Sequence, residues 1–201
     1  MRKSKTEAAK TRERIVQAAA AEFREKGIVA TGLADLMAAA GLTHGGFYKH
    51  FKSKEELICE VAKQVVANAP VMPAGDVEKP PCPDRFEAMV SAYLCPNHRD
   101  NPRDGCIFAT LGSEFARASD QTRSVVTDEI QKFIALLAEQ LDHLPPAEAR
   151  KRATAAAATL VGAIVLSRIS IDPKMAQSIL ADARDVVLGE SPDRRRKSAR
   201  K

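Results

Sequence analysis

The stretch Gly41-Leu42-Thr43-His44-Gly45-Gly46-Phe47-Tyr48-Lys49-His50-Phe51-Lys52-Ser53-Lys54-Glu55-Glu56-Leu57 decides how the chain reads. Gly41 closes one short helix, a tight Gly41-Leu42 turn follows, and Thr43 carries the side chain to cap a second helix running to Phe51. Gly45 and Gly46 sit inside that second helix, where each glycine costs about 1 kcal/mol relative to alanine. A helix kept only for packing does not carry both without compensation. One whose backbone must come very close to another surface does, because the missing Cβ permits the approach. Phe47 and Phe51, at i and i+4, share a face and are read as holding the helix against a small core. Thr43, His44, Tyr48, Lys49 and His50 crowd hydrogen-bonding groups onto the remainder, with Lys52 and Lys54 close behind. Short helix, tight turn, short helix describes a helix-turn-helix, whose second helix brings its N-terminal residues to base edges in the major groove of DNA.

Working outward, Thr11–Lys26 reads as one amphipathic helix: Ile15, Ala18, Ala19 and Phe23 give the buried spacing, and Arg12, Arg14, Arg24 and Lys26 fill the other face. Gly27 ends it as a left-handed cap, and Thr31 has N-cap chemistry for the helix Gly32–Ala40, with Leu33, Leu36 and Met37 inward. On the other side, Ser53-Lys54-Glu55-Glu56 is a capping box in which Glu56 is expected to bond back to the cap nitrogen. The helix it opens carries Leu57, Ile58, Val61 and Val65 and should end before Pro70. Five prolines over residues 70–84 (Pro70, Pro73, Pro80, Pro81, Pro83) mark a linker. Beyond it a short helix carries Phe86, Met89, Val90 and Tyr93 and breaks at Pro96, followed by a polar loop Asn97–Asp104. Further helices are expected near Gly105–Ala118, over Thr122–Leu144, over residues 147–170 after Pro145-Pro146, and from Asp172-Pro173 to Leu188-Gly189. The expected fold is all-α, about nine helices in two layers with no sheet. It divides into a three-helix helix-turn-helix domain over residues 1–68, a second helical domain over 69–188, and a basic tail over 189–201.

The combination Phe47-Tyr48-Lys49-His50-Phe51-Lys52-Ser53-Lys54-Glu55-Glu56-Leu57, preceded by Ala40-Gly41-Leu42-Thr43 and by Thr31 at a helix start, resembles the DNA-binding domain of the tetracycline-repressor (TetR) family from about Arg12 to Ile58. The resemblance implies that Thr43, Gly45, Tyr48 and His50 face the operator, with Gly46 on the same helix. It implies that Lys54 lies where a helix N-terminus meets phosphate, and Thr31 where the preceding helix meets the DNA backbone. His44 and Lys49 offer donors for purine acceptors and are the expected sequence readers. Lys52, Lys63 and Lys79 read as plain solvated charge, and for His50 a structural role inside the small domain is the competing reading.

Composition agrees with helices. Hydrophobic residues make up 45% of the 201, much of it alanine, with only 4% aromatic. The net charge of +5 is concentrated at the ends: residues 1–14 and 189–201 each balance at +4, leaving −3 for the rest. Basic ends around a mildly acidic body suit a polyanionic partner. No apolar run approaches the ~20 residues of a membrane span; the longest, Leu160–Leu166, stops at Ser167-Arg168. No secretory signal opens the chain and four cysteines are scattered along it, so a cytoplasmic protein with reduced thiols is expected.

In the C-terminal half, family members dimerise through their last two long helices, and the resemblance assigns Leu160, Ile164, Val165 and Ile179 to a homodimer interface. Gly162 and Ala163 permit close helix approach. An unidentified small-molecule inducer is expected among the middle helices, lined by Phe86, Met89, Tyr93, Phe108, Leu111, Phe115, Phe133 and Leu137, each of which also suits ordinary core. Cys95, His98 and Cys106 invite a zinc or a Cys95/Cys106 thiol-sensing reading, but a fourth ligand at motif spacing is missing and idle thiols are commoner. No metal and no cofactor is expected. Phosphate-loop, dinucleotide, metalloprotease and nucleophile-elbow motifs are absent from the sequence, so an enzyme is not expected. The rival reading is an architectural DNA-binding protein that holds any duplex through phosphates.

Overall fold

In a computed structural model, residues 5–63 and 85–189 are described, and all regular structure among them is helical. The α-helices are α1 (Lys5–Lys26), α2 (Leu33–Ala39), α3 (Lys54–Lys63), α4 (Arg85–Tyr93), α5 (Pro96–Asp100), α6 (Ile107–Phe115), α7 (Asp120–Ala138), α8 (Pro146–Ile169) and α9 (Pro173–Leu188). Two 3₁₀ segments, His44–Lys49 and Pro102–Asp104, complete the set. The proline linker of residues 70–84, Lys79, Cys82, the continuation of α3 towards Pro70 and the basic tail past Gly189 lie outside the described residues.

Residues 5–63 pack with 102–130 as one unit, and 85–101 pack with 131–189 as a second. The proline run alone suggested that everything after residue 69 would stand apart from the helix-turn-helix. Instead the 3₁₀ segment Pro102–Asp104 and α6 both pack on α1. Ion pairs hold the first of these contacts, since Arg103 donates to Glu22 at 3.0 Å and also pairs with Glu25. Arg24 Nε donates to the Arg103 carbonyl at 2.6 Å, and Lys26 closes on Glu22 at 2.7 Å. These contacts pull the Glu22 carboxyl below its ordinary value, Lys26 contributing most and Arg103 adding to it against the opposing effect of burial.

One apolar core fills the first unit: Ile15, Ala19 and Phe23 of α1, Leu36 and Met37 of α2, Phe47, Phe51, Leu57 and Val61, joined by Ile107, Leu111, Phe115 and Val126. Of the expected inducer lining, Leu111 and Phe115 are core residues of this first unit, and Phe108 packs against the same cluster. Phe86, Met89, Tyr93, Phe133 and Leu137 belong to the second unit, where all five are buried and the Tyr93 and Phe133 rings stack 6.1 Å apart. The eight residues therefore divide between two units.

Several boundaries moved for local reasons. α1 begins at Lys5 and not at Thr11: the Thr11 hydroxyl bonds back to the Glu7 carbonyl inside an already formed helix. The polar stretch Asn97–Asp104 is mostly helical, with Pro96 at the first position of α5 and the Cys95 sulfur accepting the His98 amide as its cap. α7 stops at Ala138, after which tightened turns carry the chain on with Leu141 still buried. α9 keeps both expected caps, the Asp172 carboxylate accepting from the Lys174 amide and Gly189 left-handed at φ 71°.

In the second unit α8 packs along α9, α4 against α9, and α5 against α8. Arg168 donates to the carbonyls of Arg99 and His98, and Arg184 reaches Ser91 and Glu87. Leu160 and Ile164, expected at a dimer interface, are fully buried inside their own subunit, and Val165 and Ile179 are half-buried. The large apolar side chains that α8 and α9 leave exposed are Leu166, Ile169, Met175 and Val186, between 56% and 73% accessible. α8 is 24 residues long and alanine-rich enough to cross a membrane by length and composition. Here Ala153, Ala156, Leu160, Ala163, Ile164 and Ser167 form its buried face instead.

Candidate nucleic-acid interface

The outward layer of the first unit is built on the turn at Gly41. Its φ of 66° reverses the chain, the Gly41 and Leu42 amides closing on the carbonyls of Ala38 and Met37. Arg14 Nη2 donates to the Ala40 carbonyl at 2.6 Å, tying the end of α2 to α1. Thr43 follows in extended conformation as the cap residue of the His44–Lys49 segment, yet its hydroxyl makes no cap bond and stays exposed.

That segment is a 3₁₀ helix where an α-helix to Phe51 was expected. Paired glycines and the absence of a side-chain cap remove what would stabilise regular α geometry over so few residues. The amides of Gly46 and His50 close back on Thr43 and Phe47. The expected sidedness holds: Phe47 and Phe51 are buried and stacked at 5.6 Å, while Thr43, His44, Gly45 and Lys49 are exposed and Tyr48 is 65% accessible. His50 is half-buried, the cap residue at the far end. A Cβ built on Gly45 meets no atom within 4 Å, and one on Gly46 meets only Met37 Cε at 3.5 Å. Nothing among the described residues, then, demands glycine at Gly45.

Two expected DNA contacts are engaged elsewhere. The Thr31 hydroxyl turns inward to the Gly27 carbonyl at 2.6 Å and its side chain is buried; α2 starts at Leu33 with Gly32 as cap, so Thr31 caps nothing. Lys54 Nζ donates to the carbonyls of Ile28 and Thr31 at 2.5 and 2.6 Å, and burial pushes the ammonium below its usual value. An ammonium with two main-chain partners organises the domain more than it seeks phosphate. The capping box forms with one residue's shift: Ser53 Oγ accepts the Glu56 amide, while the Glu56 carboxylate takes the Lys52 amide at 2.7 Å. That bond first, with Arg12 assisting, holds the Glu56 carboxyl below its usual range.

Arg12 is the functional-layer residue the sequence did not single out. Its guanidinium lies 4.4 Å over the Phe51 ring and pairs with Glu56 at 3.2 Å and Glu60 at 2.9 Å, fixing α3 and the 3₁₀ segment to α1. Lys63 also pairs with Glu60. Among the described residues no three His, Cys, Asp or Glu gather as metal ligands. The buried His98 ring gives Nδ1 to the Tyr93 carbonyl at 2.7 Å, and Cys59 and Cys95 are free thiols. Burial of the imidazole lowers its basicity.

Residues 15–61 match the family model of bacterial regulatory proteins of the tetR family, and residues 84–179 match that of the LmrA/YxaF-like transcriptional regulator C-terminal domain. An uncharacterized HTH-type transcriptional regulator of Mycobacterium tuberculosis is 28% identical over 92% of this chain and 98% of its own length. The probable acrEF/envCD operon repressor of Escherichia coli K12 is 38% identical over 60 residues, 30% of this chain and 27% of its own. The crystal structure of a TetR transcriptional regulator from Chloroflexus aurantiacus superposes with a TM-score of 0.67 at 28% identity, covering 90% of this chain and 94% of that one. With an exposed 3₁₀ segment on a buried Phe47–Phe51 anchor and both halves of the chain matched, the protein belongs to the TetR family of helix-turn-helix, DNA-binding transcriptional regulators.

Proposed function

We propose that the protein is a repressor that binds a palindromic operator as a homodimer and releases it when a small molecule binds its second unit. The observation that carries the reading is the outward face of the 3₁₀ segment: exposed donors at Thr43, His44, Tyr48 and Lys49 flank a glycine with open space above it. His44 and Lys49 read bases, Tyr48 and Thr43 fix the register on phosphates, and Gly45 lets the backbone close in. Two such segments then meet successive major grooves, about 34–36 Å apart.

The dimer is supported by a ridge on the last two helices. Leu166 and Ile169 on α8, with Met175 and Val186 on α9, stand exposed, and Ile179 lies half-buried at the spacing between the last two. Large apolar side chains left exposed on two helices packed together suit an association surface. Leu160 and Ile164 support the same surface from beneath by filling the subunit's own core. The ligand site is assigned to the buried aromatic group of the second unit, Phe86, Met89, Tyr93, Phe133 and Leu137. The protein works in the cytoplasm, where its DNA is.

Selection of binding sites from random duplex DNA tests this. A two-fold symmetric consensus supports a dimeric operator reader. Salt-sensitive binding without enrichment of any sequence would leave phosphate attraction alone and favour an architectural protein.

A further inference from the structure

The turn between α1 and α2 is held by a carboxylate from α6. Gly27, at φ 87°, orients the chain so that two successive amides face the same point. Ile28 N donates to Glu114 Oε1 at 3.1 Å and Oε2 at 3.0 Å, and Val29 N donates to Oε2 at 3.0 Å. Consecutive amides beside a left-handed residue form a nest for an anion, and bonds to an ionised acceptor are the strong ones. A Cβ on Gly27 would stand 3.0 Å from Glu114 Oε1, so this position needs glycine both for its backbone angle and for the closeness of the carboxylate. From the other side, Lys54 Nζ takes the carbonyls of Ile28 and Thr31. The amides of the turn end on an anion from α6 and its carbonyls on a cation from α3.

Apolar burial anchors only one end of this turn: Ile28 packs half-buried against the core, while Val29 is 88% accessible and Ala30 is exposed. Nor does α2 fix its own start: its cap residue is Gly32, with no side-chain bond. Yet α2 packs directly on the 3₁₀ segment that faces DNA. The geometry points to Glu114 as a positioning residue for operator binding: its carboxylate sets the α1–α2 turn, and through it the placement of α2 and of the reading segment, without touching DNA. The inference rests on the reading that this chain binds an operator.

The test uses the full chain and the duplex selected by the wild-type protein. Glu114→Ala and Glu114→Gln are compared with Ser113→Ala, an exposed neighbour, for operator affinity by fluorescence anisotropy at 10 °C. Thermal melting and amide exchange at Ile28 and Val29 are followed in parallel. Glu114→Ala should bind at least about tenfold more weakly while still folded, and Glu114→Gln, which keeps one neutral acceptor, should fall between it and wild type. Both should exchange the Ile28 and Val29 amides faster, and Ser113→Ala should behave as wild type. A lower melting temperature with operator affinity within twofold of wild type at 10 °C would reduce Glu114 to a stabilising role and overturn the inference. So would unchanged exchange at the two amides. If Glu114→Ala does not fold, the isosteric Glu114→Gln decides by the same criteria. Failure of the wild-type protein to select any sequence would strike down the operator reading and this inference with it, whereas an operator bound equally well by all variants would strike down only the inference.

Discussion

Replacing Gly45 by alanine separates what the helix-turn-helix needs for folding from what it needs for DNA. Gly45 is exposed, its φ is not positive, and an added Cβ meets nothing within 4 Å. The substitution therefore costs no strain and no clash within the protein. It removes conformational freedom from the unfolded chain and adds helix propensity, together about 0.5–1 kcal/mol in favour of the fold. In a chain of this length that is a rise in melting temperature of about 1–4 °C. On DNA the sign reverses. A methyl placed where the backbone approaches the groove overpacks a close contact, at about 1–3 kcal/mol per half-site. A dimer meets this cost twice, so operator affinity should fall by well over tenfold. Affinity for random duplex, which depends on phosphate attraction, should stay within about threefold. The assay is melting by circular dichroism alongside anisotropy on selected and random duplexes. A Gly45→Ala protein that binds its operator as wild type does would mean the glycine is not there for DNA. One that loses affinity and stability together would mean the segment had been broken and not blocked.

Lys49→Ala should alter the base preference recovered from random duplexes, whereas Tyr48→Phe should weaken binding across sequences; an unchanged consensus with Lys49→Ala would refute its assignment as a reader. Leu166→Asp with Ile169→Asp should shift the protein from dimer to monomer in sedimentation while leaving its helicity intact. Leu160→Ala, from the buried face of the same helix, should instead cost about 2–5 kcal/mol of subunit stability in urea. Glu22 has its carboxyl held below the ordinary value, chiefly by Lys26 and further by Arg103, so its contribution is present at neutral pH and is lost as pH falls through the folded-state value. Stability should decline as pH falls below the ordinary carboxylate value of 4.5, and Glu22→Gln should flatten that decline; an equally steep fall in the variant would place the acid sensitivity elsewhere.

What the sequence made legible was sidedness where polar and apolar residues alternate at helical spacing. Ile15, Ala19 and Phe23 with Phe47 and Phe51 specified the small core, and the exposed set Thr43, His44, Tyr48 and Lys49 followed by exclusion. α8 offered no such contrast. From Leu160 to Leu166 it is apolar on every side, so periodicity could not say that Leu160 and Ile164 turn inward and Leu166 outward. The inducer lining blurred for a related reason, because apolar spacing shows that Leu111 and Phe115 are buried but not which unit's core they enter.

Cations and carboxylates were harder still. A lysine following a helix-turn-helix looks the same in sequence whether it seeks phosphate or, as Lys54 does, two carbonyls of its own domain. Arg12 reads as solvated charge until Phe51, Glu56 and Glu60 are seen around it. Gly27 was recognisable as a left-handed cap, but the acceptor for the amides it exposes stands 86 positions further on, and no local pattern joins the two. Those long-range bonds hold the turn that leads into α2, while the short-range pattern fixes only the exposed face of the 3₁₀ segment. Variation at Arg12, Lys54 or Glu114 should therefore change how firmly operator is held without changing which sequence is chosen, since all three side chains are engaged by partners within their own unit.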